Sequence, residues 1–337
     1  MAVLVKRLGV DLGTTTLRAH LRRQGLVLEE PSVVAYRRFE RELVALGHAA
    51  LDLEGRASTG VEIVRPIVAP KIADLTAAAA LLTHLVRGTV HRLHPVRPDV
   101  VVSLPAGATT TQRRVLTEAA IKAGARQAWL IDGPIAAALG AGLPVGRATG
   151  CAVCDLGGGT TEVAVLAESG TVLAETIEIA GTDLDAAIQR YLERRRNLRI
   201  DPRTAEQLKR AVGTALPLED PLAMEVRGDD VDTAEPRRER VGSGELTDAL
   251  TPVLDSLAGA IRTVLASVPA TFMAAIAADG LVLTGAGAHL RGLDEYLAQR
   301  LDVPVRVAPK PETCAVRGAV ISMDGFLVFR EKQLYLR

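Results

Sequence analysis

Aromatic residues are scarce, making up 3% of the 337-residue chain. Single-stranded nucleic acids are gripped by stacking bases on such rings, so no nucleic-acid partner is expected. An excess of one charge is missing too. Lys and Arg number 40 and so do Asp and Glu, and no block of like charge offers a footprint for a polyanion. Cysteine is limited to Cys151, Cys154 and Cys314, too few for the disulfide framework of a secreted domain, and a reducing cytoplasm fits. Cys151 and Cys154 have C-x-x-C spacing but fall in an apolar run that reads as a strand. Positions three apart on a strand face opposite sides, so buried core thiols are expected instead of a redox or zinc site. No apolar run reaches the ~18–20 residues that span a bilayer. Met1–Val5 is too short for a secretory leader and reads as the start of the first strand. What remains is a soluble globular chain, 48% hydrophobic and long enough for two cores.

Glycine is where the chemistry gathers. Cys151–Leu166, CAVCDLGGGTTEVAVL, reads as an apolar strand, a turn of three glycines, and a second apolar strand that starts with two threonines and an acid. Gly157, Gly158 and Gly159 let the main chain approach a bulky group, and their amides form a cradle for an anion. Asp155, just before the turn, is placed to hold a magnesium ion or its waters, with Thr160 and Thr161 beside it. A ligand-free β-hairpin reads equally well from this stretch alone. A second copy decides between them: LGVDLGTTTL at Leu8–Leu17 repeats apolar–Asp–Leu–Gly–Thr, with Asp11, Gly13, Thr14 and Thr15 in the matching places. Two such turns, half a chain apart, suggest two like domains facing one polyphosphate and its Mg²⁺, since magnesium takes one or two carboxylates plus phosphate oxygens and water.

In chain order, strands alternate with helices, which argues for an α/β fold. Val3–Val10 and Leu17–Leu21 make a hairpin, and Leu26–Tyr36 continues as strand with an interruption at Glu29-Glu30-Pro31. Arg41–Gly60 is mixed and polar. Leu75, Leu81, Leu82, Leu85 and Val86 give Thr76–Val90 one apolar helical face, and His91–Asp99 reads as a loop. Val100–Leu104 is a buried strand, and Thr110–Ala123 a helix stopped by Gly124. Ala128–Ile131 is a strand and Pro134–Gly142 a helix of small residues. The second half repeats the plan: a hairpin at 152–167, a strand at 171–179, helices opening near Gly181 and at Thr204–Val212, and a charged excursion over 217–240. A long helix at Leu246–Val268 follows, then a strand to Gly285, a helix at Leu290–Leu301, a strand at 303–307 and a last helix from Glu312.

These strings resemble the actin, DnaK-type chaperone and sugar-kinase superfamily, and within it the MreB-like bacterial actins. The resemblance is carried by the two Asp-Leu-Gly turns, by GLVLEEPSVVA at Gly25–Ala35, by LPAGATTTQRRVLTEAAIKAGARQAWLIDGPIAAALGAG at 104–142, by IAGTDLDAAIQRYL at Ile179–Leu192, by TAEQLKRAVGTA at Thr204–Ala215 and by VLTGAGAHLRGLDEYLAQRL at 282–301. It runs from about residue 8 to 320. It implies an actin-like ATPase fold of two lobes, each on a ribonuclease-H-like mixed sheet. The first lobe would span 1–145, with an insertion at about 32–64, and the second 146–337, with an insertion at about 181–244. ATP and Mg²⁺ would lie between them. By position, Asp11 and Asp155 would stand at the metal, and Gly13, Thr14 and Thr15 would face Gly157, Gly158, Gly159 and Thr160 across the phosphates. Glu206 and Lys209, one helical turn apart, would reach ribose and adenine, though a plain surface pair is the commoner fate. Gly285, Ala286 and Gly287 would let the backbone pass the base. The resemblance further implies filaments of the chain with itself, in the cytoplasm at the inner face of the membrane, with a conventional MreB and membrane-bound cell-wall proteins as partners. Because the chain begins almost in its first strand and leaves no room for an amphipathic helix ahead of it, direct membrane contact would fall to Leu93 and Val96, near the place of the family's apolar loop, though an ordinary basic surface loop reads equally well.

The departures sit at the chemistry. ATP hydrolysis needs a group to orient or deprotonate water. The family supplies a Glu in an acid–Glu–Pro segment, working with the Thr that here is Thr160. This chain has Asp132-Gly133-Pro134, so the side chain is missing and only Asp132 stands beside the gap. Thr15-Thr16 replaces the family's Ala-Asn, Ala69-Pro70-Lys71 replaces Lys-Asp-Gly, and Ala286 adds a methyl to a Gly-Gly-Gly turn. The tail ISMDGFLVFREKQLYLR matches nothing expected. The reading is an ATP-binding filament former with weak or lost hydrolysis. The alternative is a non-polymerising adaptor that regulates a true MreB. A sugar kinase is disfavoured for want of a catalytic Asp in a substrate motif, and a chaperone because no peptide-binding domain follows.

Overall fold

Two five-stranded mixed sheets, each built outward from a glycine-turned hairpin, organise the molecule. The computed structural model describes residues 6–54, 60–68, 71–93, 96–168 and 170–324. Met1–Val5, Ala69-Pro70 and the tail from 325 therefore lie outside the described residues. The first sheet starts with β1 (Arg7–Leu12) and β2 (Thr16–Leu21), antiparallel from Leu8↔Leu21 to Leu12↔Leu17. β3 (Gly25–Pro31) runs through Glu29-Glu30-Pro31, where an interruption was expected. Glu29 is held there by Arg18 at 2.8 Å, and Pro31 closes an edge strand, where its missing N–H is tolerated.

β4 (Val34–Arg37), β5 (Leu43–Leu46), α1 (Gly47–Leu51) and β6 (Val61–Val64) form a small satellite whose sheet has the order β5-β4-β6. β7 (Ile67–Val68) and β8 (Lys71–Ile72) are a short ribbon. α2 (Leu75–Leu93) buries Leu81, Leu82, Leu85 and Val86 and extends three residues into the stretch expected as a loop. β9 (Asp99–Leu104) is parallel to β1, and β10 (Gln127–Asp132) to β9. Between them α3 (Thr110–Lys122) begins at a capping box of Thr109 and Gln112. α4 (Gly133–Gly140) follows β10 directly.

The second sheet repeats the plan. β11 (Cys151–Leu156), β12 (Thr161–Ala167) and β13 (Gly170–Ile177) meander antiparallel. α5 (Gly181–Arg196), β14 (Leu198–Arg199), α6 (Pro202–Val212), β15 (Ala223–Asp230) and β16 (Pro236–Gly242) follow, with β14, β15 and β16 in one small sheet. α7 (Ser243–Ala266) is long and apolar enough to cross a membrane by composition, yet its Leu246, Leu250, Leu254, Leu257 and Ile261 are buried in the core beneath this sheet. α8 (Ala270–Asp279) has no clear apolar stripe and was not foreseen; Ile276 is its buried anchor. β17 (Leu281–Thr284), α9 (Leu293–Leu301), β18 (Val305–Val307) and α10 (Cys314–Ser322) complete the described chain. The orders β3-β2-β1-β9-β10 and β13-β12-β11-β17-β18 coincide, so the repeat seen in the motifs is a repeat of topology. Cys154 packs on one face of the second sheet and Cys151 on the other, both buried and free, as their spacing requires.

Two helices join the lobes. α4 lies against β11 and β12 of the second sheet, whereas α10 lies against β1, β2 and β9 of the first. They cross each other with no side chain between them: a Cβ on Gly318 would stand 1.7 Å from Ala136 O, and one on Gly140 1.8 Å from Cys314 O. Gly9 in β1 gives α10 similar room, 2.5 Å from Val316 O. Ile135, Ala138, Cys314 and Ala319 share one core with Val101 of the first sheet and Val153 of the second. This crossing turns the β1–β2 and β11–β12 hairpins toward each other.

Candidate functional site

The two hairpin turns are built alike. A Cβ on Gly13 would meet Thr16 O at 2.5 Å, and one on Gly157 would meet Thr160 O at 3.0 Å, so each turn folds its own backbone over its first glycine. The turns also touch. Gly159 N–H donates to Thr14 Oγ1 at 2.9 Å, and a Cβ on Gly158 would stand 2.3 Å from Thr15 Cγ2. Behind the second turn, the start of α5 fixes the backbone. Gly181 N–H donates to Gly157 O at 3.1 Å, and Thr182 donates to Gly158 O from its N–H at 2.8 Å and its hydroxyl at 2.9 Å.

Together they line one cleft that is open to solvent. The first hairpin contributes Asp11, Gly13, Thr14 and Thr15, and the second Asp155, Gly157, Gly158 and Thr160. Gly285 and Ala286 come from the end of β17. Gly285 has φ +80°, and a Cβ there would stand 2.7 Å from Asp155 Oδ1, so the position requires glycine. Gly159 stands behind the lining on Thr14, and Gly287 packs on Leu156.

Glu206 and Lys209 are not brought into this lining. Lys209 is drawn inward to Asp185, 2.8 Å from its Oδ1, and donates to Gly181 O at 2.7 Å. A buried carboxylate demands such a partner. Glu206 pairs with Arg210 at 2.9 Å on the same helix. Asp132 is likewise turned away, its carboxylate on Arg113. Val96 is partly buried, and nothing is described for the side chain of Leu93.

The cleft brings several acids together, Glu162 buried and Asp11 and Asp155 part-buried. Burial pushes Asp11 up to about 7, with Arg18 pulling down, Asp155 pushing up and the Ser103 hydroxyl pulling down. Asp155 is raised by burial, against the Thr284 hydroxyl, which donates to Oδ1 at 2.9 Å, and Arg18. Glu162 stands across β11–β12 from Asp155 and is 7% exposed. Burial lifts it to about 8, opposed by a hydrogen bond from Ala106 N–H and helped by Asp155, Asp132 and Asp11. Neither Glu162 nor Arg18 was assigned a role from the sequence. The signal for Glu162 was there: an acid inside the otherwise apolar strand TEVAVLA carries a desolvation penalty that only a local role offsets.

Such carboxylates suit a hard cation with oxygen ligands. Among the described residues no three acidic, His or Cys side chains converge into a complete metal site. A cation between Asp11 and Asp155 would therefore draw its remaining ligands from water and a bound anion, which is how Mg²⁺ accompanies a nucleotide.

Known proteins with this arrangement are recognisable along the whole chain. The family model described as MreB/Mbl protein matches residues 5–330. The cell shape-determining protein MreB of Escherichia coli (strain K12) is 39% identical over 336 residues, covering 96% of each chain. The cell shape-determining protein Mbl of Bacillus subtilis (strain 168) is 34% identical over 322 residues, covering 96% of this chain and 97% of its own. Among solved structures, MreB5 of Spiroplasma citri bound to ADP superposes with a TM-score of 0.87 at 28% identity, over 98% of this chain and 99% of its own. The MamK double helical filament shares the fold at a TM-score of 0.73 and 22% identity, over 95% of this chain and 98% of its own. With an actin-like fold of two lobes and a family match spanning nearly its whole length, the chain belongs to the MreB/Mbl family.

Proposed function

We propose that this protein binds ATP with Mg²⁺ in the interlobe cleft, assembles with itself into cytoskeletal filaments that serve cell shape or cell-wall synthesis, and turns nucleotide over slowly. The observation that carries the reading is the facing pair of Asp-Leu-Gly hairpins, one from each lobe, joined by Gly159 N–H on Thr14 Oγ1. Asp11 and Asp155 would hold the cation, which when bound neutralises charge on phosphate oxygens. The amides of Gly13, Gly157, Gly158 and Gly159 and the hydroxyls of Thr14, Thr15 and Thr160 would orient the phosphates. Gly285, Ala286 and Gly287 would give the base room, with Glu206 and Lys209 at the ribose end. The relatives' names supply the link to cell shape, and MreB5 of Spiroplasma citri, solved with ADP and with AMPPNP, supports a nucleotide in the cleft. Slow turnover follows from Gly133, which presents no side chain to a water. The lobes are proposed to divide near residues 145 and 146, with the protein in the cytoplasm, beside a conventional MreB and membrane-bound cell-wall proteins.

Negative-stain microscopy with ATP, with a non-hydrolysable analogue and without nucleotide, paired with phosphate release in the same samples, tests this. Filaments with phosphate release well below that of a conventional MreB are expected. Monomers under every condition would replace the filament reading with that of a nucleotide-binding adaptor, and release as fast as a conventional MreB would end the slow-turnover reading.

A further inference from the structure

We propose that Glu162 is the acid that orients and deprotonates the attacking water, standing in space for the side chain that position 133 lacks. The proposal rests on the ATP-binding reading above. Gly133 opens α4, and a Cβ there would lie 2.8 Å from Glu162 Oε2. The carboxylate thus fills the room that any side chain at 133 would need. Its other oxygen, Oε1, accepts Ala106 N–H at 3.1 Å, which fixes the group against the loop after β9 of the opposite lobe. Glu162 and Thr160, two residues apart in the chain, both line the cleft. Asp132, the other acid beside Gly133, lies off the lining with its carboxylate on Arg113.

In the proposed step the water oxygen bonds to the γ-phosphorus while the bond from that phosphorus to the β–γ bridging oxygen breaks. The bridging oxygen leaves with its electron pair as part of ADP, and the water proton passes to Oε2 of Glu162, which serves as the base in its ionised form. Because this acid enters from β12 and not from the start of α4, it approaches the water from a different element than a side chain at 133 would. A reaction that is retained but slow is the natural result.

The test uses the full chain as wild type, Glu162→Gln and Gly133→Ala. Single-turnover hydrolysis at saturating Mg²⁺–ATP is read beside equilibrium binding of a non-hydrolysable analogue and isotope-edited infrared spectra of the glutamate carboxyls. A slow but measurable wild-type rate is expected. Glu162→Gln should lower it by about 100-fold, the usual range for a lost general base, while analogue affinity stays within about twofold, since only the transition state uses the group. Gly133→Ala should lower the rate about tenfold by displacing the carboxylate, a weaker perturbation than removing the base. A carboxyl band that shifts on analogue binding in wild type should vanish in Glu162→Gln. An unchanged rate in either variant with analogue affinity intact, a wild-type rate no higher than buffer, or a Glu162 band that the analogue does not move would each overturn the assignment. Failure of the wild type to bind the analogue at all would instead remove the ATP-binding reading and this one with it.

Discussion

Asp11 and Asp155, part-buried, and Glu162, buried, line the cleft, which the guanidinium of Arg18 also lines. Burial disfavours the charged form of each acid, and Asp155 adds to the effect on Asp11, so taking up a proton is easier there than in water. A cation must displace such a proton to bind. The sign follows: Asp11 is raised to about 7, so it is largely protonated below that pH and must release its proton to ligate, whereas above it the release is already complete. Affinity for Mg²⁺–nucleotide should therefore rise with pH from 6 to about 7 and then flatten. Calorimetry in two buffers of different ionisation enthalpy should show proton release at pH 6.5, and Asp11→Asn should reduce both the release and the affinity. Heats independent of the buffer would show that these carboxylates are already ionised without the metal.

At the scale of elements, the crossing of α4 and α10 carries the molecule's geometry. Each helix meets the sheet of the other lobe, and the crossing closes on two glycines whose Cβ positions overlap backbone atoms of the partner helix. A methyl there cannot be absorbed by a rotamer change. Gly318→Ala should destabilise the fold by about 3 kcal/mol or more, at the upper end of overpacking effects, and the shift should appear in the urea unfolding midpoint. A midpoint equal to wild type would mean that the two helices can slide apart freely. The sequence showed these two helices as runs of small residues, IAAALGAG and CAVRGAV, but not that they cross, because close packing between segments some 180 residues apart leaves no periodic signature. The hairpins were legible for the opposite reason: Asp-Leu-Gly-Thr is local chemistry, repeated. The pairings of Lys209 with Asp185 and of Asp132 with Arg113 were not legible, because those partners are brought in by other elements. α8 was invisible because an Ala-rich segment with one buried residue has no face to read.

At the scale of the whole molecule, one sheet edge among the described residues stands out for its exposed apolar side chains. β5 is an outer strand of the small sheet in the first lobe, so its free backbone groups are a template for another strand. Leu43 and Val44 point to opposite sides, yet they are 46% and 45% exposed, so neither side of the edge is covered. Phe39, in the turn before it, is 93% exposed. Glu40, Arg41 and Glu42 flank these residues and keep the patch from indiscriminate pairing, the role of charges beside an apolar strand. If the chain assembles with itself, this edge offers apolar area that the folded monomer does not use, and burying it would drive association. Phe39→Ser combined with Leu43→Lys should raise the critical concentration for filament assembly by about tenfold or more, a loss of about 1.4 kcal/mol per contact, while nucleotide affinity in the cleft, which neither residue lines, is unchanged. Sedimentation of the ATP-bound protein over a concentration series measures the first quantity and analogue binding the second. An unchanged critical concentration would assign assembly to another face, and a parallel loss of nucleotide affinity would show that the substitutions had reached the cleft through the fold.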